Sequence, residues 1–361
     1  MTRREQTRRL CLGNVDIGGG APVVVQSMTK TDTRDVEATC AQIERLAEAG
    51  CEVVRVAVPD EEAALALSRI RSKSSLPLVA DIHFDPRLAL MALDQGVNGL
   101  RLNPGNIGGR AEVRKIAVEA KARGVPIRVG VNAGSLDKDL LEKYGRPCPE
   151  AMVESARREI ALLEDAGFDM IKVSVKSSDV LDTIAAYRLM ARETDYPLHL
   201  GVTETGTLIA GTVKSALGLG LLLSEGIGDT IRVSLTRDPA DEVRVAYEIL
   251  RALNLRHRGP EIISCPICGR CEIDLFSLVE EVEKRLSGLA TPIKVAVMGC
   301  VVNGPGEARS AQVGVAGGRG QGILFKNGKL VSKVPEEKLA DVLVGEVLRL
   351  VNEENKQVEK V

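Results

Sequence analysis

Tryptophan is absent from the 361-residue chain, and only four tyrosines and four phenylalanines are present. Single-stranded nucleic acid is held largely by bases stacking on aromatic side chains, so this scarcity argues against such a partner. An excess of positive charge is also lacking. The formal net charge is −2 and the sequence pI about 6.1, which removes the long-range attraction that duplex nucleic acid requires. No apolar run approaches the roughly 20 residues that cross a bilayer. No apolar stretch of signal-peptide length follows the basic start "MTRREQTRRL". A soluble, cytoplasmic protein with neither membrane nor nucleic acid as partner is therefore expected. In that compartment the eight cysteines are expected to be reduced, buried or metal-bound. Cys11, Cys40, Cys51 and Cys148 are scattered and read as ordinary core or surface residues.

What is present is a repeating rhythm between residues 23 and 236. Eight short β-branched runs (VVVQSM, CEVVRVAV, LPLVADIH, GLRLNPG, PIRVGVN, MIKVSVK, PLHLGVTE and TIRVSLT) alternate with amphipathic segments such as "DVEATCAQIERLAEAG" and "AMVESARREIALLEDAG". Each of these two segments closes on a glycine suited to a left-handed C-cap. Eight such units predict an α/β fold, a TIM (β/α)8 barrel. The Gly-Pro in "LRHRGPEIISC" marks the domain boundary, giving a barrel over 1–258 and a second domain over 259–361. The second domain reads as a smaller α+β module with an Asn-Gly hairpin in "GILFKNGKLVSKV" and a terminal helix. The last ten residues, "NEENKQVEKV", read as a solvated tail.

Residues two apart on a strand face the same way. One parity of the runs carries Arg101 and Asn103; Arg128, Gly130 and Asn132; Lys172, Ser174 and Lys176; and Arg232, Ser234 and Thr236, while the other is Leu or Val. The apolar set must pack outward on the helices, so the polar set faces the barrel interior and its C-terminal mouth. Arg55 follows the same pattern. Against six cations (Arg55, Arg101, Arg128, Lys172, Lys176 and Arg232) only two nearby acids can be placed, Asp81 and Glu204. Any one cation could sit in a structural ion pair. A set with this surplus is tolerable mainly where a polyanion completes it, which predicts a phosphorylated substrate, a diphosphate above all. Asp81, His83 and Glu204, at strand ends, are the candidate proton-transfer groups; His199 and His257 read as structural.

Cys265, Cys268 and Cys271 in "SCPICGRCEIDL" have C-x2-C-x2-C spacing, and Cys300 follows in "GCVVNGPGE". A structural zinc site would bring two C-x2-C pairs. The triple spacing is closer to a ferredoxin ligand run completed by a distant cysteine, which favours iron-sulfur and leaves zinc open. The tight turn expected at Gly304-Pro305-Gly306 would bring Glu307 back toward Cys300, as a carboxylate ligand more readily displaced than a thiolate.

Taken together, the strand-end motifs, "SCPICGR" and "GCVVNGPGE" resemble the 4-hydroxy-3-methylbut-2-enyl diphosphate synthase family, in its two-domain bacterial form, over essentially the whole chain. The resemblance implies a TIM barrel followed by a domain carrying one 4Fe-4S cluster per subunit. It implies reductive ring opening and dehydration of 2-C-methyl-D-erythritol 2,4-cyclodiphosphate in isoprenoid biosynthesis, with flavodoxin or ferredoxin as electron donor. Implied cluster ligands are Cys265, Cys268, Cys300 and Glu307. Implied substrate contacts are Arg55, Asp81, His83, Arg101, Asn103, Arg128, Asn132, Lys176, Arg232, Ser234 and Asn303, with Glu204 as the acid that protonates the departing oxygen. Cys271 departs from the family pattern, which commonly has another residue there. A head-to-tail homodimer sharing each active site between subunits is also implied. The rival reading is a phosphate-ligand-binding barrel with a structural zinc module and no redox activity.

Overall fold

Alternation of β-branched runs with amphipathic helices produces two compact units, one ending at Arg256 and the other beginning at His257. The computed structural model describes residues 3–300 and 310–358. In the first unit a hairpin, β1 (Leu10–Leu12) and β2 (Val15–Ile17), precedes eight strands: β3 (Val24–Met28), β4 (Val53–Ala57), β5 (Leu78–Asp81), β6 (Gly99–Leu102), β7 (Ile127–Asn132), β8 (Ile171–Lys176), β9 (His199–Leu200) and β10 (Thr230–Ile231). Between and after them run α1 (Val36–Ala49), α2 (Glu61–Lys73), α3 (Pro86–Asp94), α4 (Arg110–Ala122), α5 (Lys138–Tyr144), α6 (Pro149–Asp165), α7 (Val180–Glu193), α8 (Leu208–Ser224) and α9 (Pro239–Ala252). Neighbouring strands from β3 to β8 pair parallel in sequence order, β10 pairs with both β3 and β9, and a parallel bridge between Val173 and Leu198 joins β8 to β9. The eight-stranded TIM barrel expected from the rhythm is thus present.

Local chemistry sets the helix ends. Asp35, Asp60, Asp85, Asp179 and Asp238 each accept a backbone N–H in the first turn of their helix, which satisfies donors that have no partner within the helix. Gly50, at φ 103°, closes α1 in the left-handed conformation. The outward Val and Leu of the strands join the helices' apolar stripes in one continuous core. A second cluster inside the barrel packs Leu10, Leu12 and Ile17 of the hairpin on Val24, Val53 and Val79, so the hairpin stoppers the N-terminal end. This hairpin lies outside the eight β-branched runs, and its sequence signal is the "GN" turn, with Gly13 at φ 64°.

The second unit is a five-stranded mixed sheet in the order β11 (Pro260–Ser264), β12 (Ile293–Met298), β13 (Val313–Gly318), β14 (Gln321–Lys326), β15 (Lys329–Pro335). β11, β12 and β13 pair parallel and the last three antiparallel. Helices α10 (Leu275–Leu286) and α11 (Leu339–Val358) supply Leu278, Val282, Leu343 and Val347 to the core against Val295, Val297, Val313 and Val315. Two details differ from expectation. Residues 260–264, just past the Gly-Pro boundary and given no element in the sequence analysis, form a strand because they pair with β12 over Pro260–Ser264. The segment read as a tail continues α11 to Val358, helped by an i,i+4 ion pair between Arg349 and Glu353. No helix among the described residues is long and apolar enough to cross a membrane.

Candidate functional site: a cationic barrel mouth and a thiol loop

Parallel register aligns the charged residues across strands: Asp81 of β5 lies beside Arg101 of β6, Arg101 beside Arg128 of β7, and Arg128 beside Lys172 of β8. Asp81 is the hub. Its carboxylate lies 3.6 Å from Arg55 Nε, 3.2 Å from Arg101 Nη1 and 3.6 Å from His83 Nε2. Arg101 Nη1 also lies 2.5 Å from His83 Nε2, and its Nη2 donates to the Gly130 carbonyl at 3.1 Å. Burial by itself would raise the Asp81 carboxyl, but Arg55, His83 and Arg101 outweigh it and hold the group well below the usual carboxylate range. The ring of His83 is half-exposed at the mouth.

Two glycines make these positions possible. A Cβ on Gly130 would sit 2.6 Å from Arg101 Nε, and one on Gly201 only 2.4 Å from Lys176 Nζ. Interior positions on β7 and just after β9 are therefore left without side chains so that Arg101 and Lys176 can cross the barrel.

The cation set is only partly neutralised. Arg128 Nη1 donates to Ser174 Oγ at 2.9 Å, while its Nε and Nη2 are buried without a partner, as are Arg101 Nε and Arg232 Nε. Among the described residues, Arg128, Lys172 and Lys176 have no carboxylate within ion-pair distance. Burial, then repulsion from Arg128, lowers Lys172 to about 7. Burial and the charges of Arg128, Arg232, Arg55 and Arg101 push Lys176 well below the usual lysine range. Burial also brings Arg55 down to about 10 against the pull of Asp81. Fully buried His199 meets Thr230 Oγ1 at 2.7 Å; burial and the neighbouring cations hold it well below its ordinary range, in keeping with a structural role. A pocket so short of anions gains most from a ligand that carries several negative oxygens.

The acid that joins Asp81 is not Glu204. Glu204 lies in a turn after β9 at φ 52°, with its side chain exposed, so it neutralises no buried cation here; it stands at the rim. Glu242 of α9, 2% exposed, takes that place. Its carboxylate lies 3.5 Å from Arg232 Nη2 and 3.2 Å from Lys30 Nζ, and accepts from Ser27 Oγ and the Leu235 N–H. Its signal in the sequence was an acid on the buried stripe of an amphipathic helix, which a reading confined to strands passes over. Asn103 and Asn132 follow β6 and end β7, both half-buried, and the Ser234 carbonyl accepts from Thr205 Oγ1.

In the second unit the thiols gather at the carboxyl ends of parallel strands. Cys265 follows β11 directly, Cys300 comes two residues after β12, and the Gly299 N–H donates to Cys265 Sγ at 3.3 Å. Cys268 is exposed and Cys265, Cys271 and Cys300 are partly buried. Cys271 turns into the core: its Sγ donates to the Ile273 carbonyl at 3.3 Å and occupies the space over Gly299, where a Cβ would lie 2.6 Å away. Loops beyond the carboxyl ends of parallel strands are the usual ligand-binding edge of such sheets. Soft thiolate donors here suit an iron-sulfur group. Asn303 and Glu307 lie outside the described residues. Among the described residues no three Cys, His, Asp or Glu side chains converge on a single-ion site.

Family comparison accounts for both units. The GcpE TIM-barrel domain matches residues 7–247 and the GcpE protein C-terminal domain matches residues 261–349. The chain belongs to the GcpE family. It is 60% identical to the 4-hydroxy-3-methylbut-2-en-1-yl diphosphate synthase (flavodoxin) of Geobacter sulfurreducens, covering 98% of this chain and 100% of that one. It is 60% identical to the enzyme of the same name from Lawsonia intracellularis, over 98% and 99%. A third, from Nitratidesulfovibrio vulgaris, is 62% identical over 92% of this chain and 86% of its own. In GcpE terms the cationic mouth belongs to the barrel domain and the thiol loop to the C-terminal domain. The arginines and lysines read from strand parity all occupy the GcpE barrel interior, whereas Glu242, the bond from Arg128 to Ser174 and the space-making role of the glycines required the fold.

Proposed function

We infer that the protein converts 2-C-methyl-D-erythritol 2,4-cyclodiphosphate to 4-hydroxy-3-methylbut-2-enyl diphosphate. Two electrons enter, the ring C–O bond opens, and one oxygen leaves as water. The observation that carries this reading is the buried pair Arg128 and Lys176 inside a GcpE barrel, which have no carboxylate within ion-pair distance among the described residues. The cyclic diphosphate supplies the missing negative charge. Arg55, Arg101, Arg128, Lys176 and Arg232 hold its phosphates, with Asp81 fixing Arg55 and Arg101. Asn103, Asn132, Ser234 and Asn303 complete the contacts, and His83 orients the substrate from the rim. Glu204, exposed beside that rim, donates the proton to the departing oxygen.

Cys265, Cys268, Cys300 and Glu307 would hold a 4Fe-4S cluster, one per subunit, and the thiol-rich strand ends fit that donor set. When bound, such a cluster would pass electrons singly from flavodoxin, the donor for which the relatives are named, or from ferredoxin. A homodimer is supported by α8, whose Ile209, Val213, Leu217 and Leu221 are 80%, 53%, 53% and 44% exposed at i,i+4 spacing. A second copy covering this stripe would remove it from water. We place the enzyme in the cytoplasm.

The test uses anaerobically purified protein with a chemical reductant and the cyclic diphosphate. Turnover to the linear diphosphate is expected, and Glu204→Gln should keep cluster absorbance near ~400 nm while losing turnover. A colourless, zinc-containing protein without turnover would support the binding-protein alternative, and near-normal activity of the Gln variant would remove Glu204 from the mechanism.

A further inference from the structure

Helix α6 buries Ser155, Glu159 and Leu163 on one stripe. Glu159 is 3% exposed, and no cation lies within ion-pair distance of it among the described residues. Its Oε2 has no hydrogen-bond partner, and Ser155 Oγ reaches Oε1 only at 3.5 Å. An apolar side chain would fill this position without the desolvation penalty of a carboxyl, so the carboxyl calls for a polar reason. What it faces is the turn after β6. A Cβ on Gly105 would meet Asn103 Oδ1 at 3.3 Å and the Glu159 Cγ and Oε1 at 3.8 Å. Asn103 Oδ1 is likewise buried without a partner. Two orphaned side chains, one from the substrate-contact set and one from the helix behind it, therefore flank the same glycine.

We propose that Glu159 is a positioning residue: its buried carboxyl seats the turn from Asn103 to Ile107 and so fixes Asn103 at the barrel mouth. Burial, then repulsion from Asp137 ahead of α5, raises Glu159 to about 8, with Arg101 of β6 pulling the other way. Burial thus favours the neutral carboxyl at pH 7, on the same glycine as the orphaned Asn103 oxygen. Ionisation would place an unpaired negative charge beneath the turn, within electrostatic reach of Arg101.

The role rests on the diphosphate reading of the mouth, and the probe separates the two. Pyrophosphate titrated calorimetrically into the full-length, cluster-loaded protein reports the mouth without requiring turnover. Glu159→Ala is expected to weaken pyrophosphate about ten-fold at pH 7, and Glu159→Gln, which keeps a donor and an acceptor, to restore affinity to within about two-fold. Asn103→Ala combined with Glu159→Ala should bind no more weakly than Asn103→Ala alone, because the helix residue acts through the asparagine. Between pH 7 and about 9 the wild type should lose affinity faster than the Gln variant, since only it ionises near 8. Additive losses in the double variant, equal weakening by Gln and Ala, or wild-type protein that does not bind pyrophosphate would overturn the proposal. If the pyrophosphate pattern holds while the cyclic diphosphate is not turned over, the positioning role stands and the proposed reaction fails.

Discussion

Replacing Asp81 with Asn tests the electrostatic logic of the barrel most directly. The side chain is isosteric, so packing is unchanged and the charge alone is removed. At an effective dielectric of about 20, a unit charge 3.2 Å away, the Arg101 distance, interacts with the carboxylate by about 5 kcal/mol before desolvation is subtracted. Arg55 stands at 3.6 Å. Removing one member of a buried pair typically destabilises by about 3–5 kcal/mol, because the remaining charges are left uncompensated. The barrel unit ends at Arg256, and for about 250 residues each kcal/mol shifts Tm by about 2–4 °C. The variant should therefore melt roughly 10 °C lower in scanning calorimetry at pH 7 and low salt. Saturating pyrophosphate should recover more of that loss than it adds to wild type, since the anion replaces the missing negative charge. The sign with pH follows from the depressed carboxyl: its stabilisation is present above the unfolded value of 3.8 and fades as pH falls, so the two proteins should converge in acid. An unchanged Tm at pH 7, or equal stabilisation of both proteins by pyrophosphate, would refute the claim that Asp81 is the hub of an anion-deficient pocket.

Lys172→Met should flatten the dependence of stability on pH. With the folded lysine lowered to about 7 from 10.5, the unfolded chain holds the extra proton between those values, so wild-type stability rises with pH across that window; identical slopes in calorimetry would count against it. Cys300→Ser should lose iron in metal analysis, whereas Cys271→Ser, whose thiol already bonds to the Ile273 carbonyl, should retain it; iron loss from the second variant would make Cys271 a ligand. Val213→Glu with Leu217→Glu, both 53% exposed on α8, should give a monomer by light scattering, and a persisting dimer would move the interface elsewhere.

Strand count, strand order along the chain and the inward parity of the cations were all legible in the sequence, because a side-chain period of two and the alternation with helices are local properties. The GcpE likeness was legible for a similar reason: "SCPICGR" and "GCVVNGPGE" are contiguous. Charge compensation was not legible. Glu242 meets Ser27 from 215 positions away and Glu204, adjacent to its strand, meets no buried cation, so proximity in sequence picked the wrong acid. The same holds for Glu159 behind Asn103, and for Gly130 and Gly201, whose missing Cβ atoms matter only once Arg101 and Lys176 lie across them. Which side chains face inward follows from backbone periodicity alone; which of them neutralise, seat or make room for one another depends on closure of the barrel, which brings residues from distant strands and helices within a few ångströms.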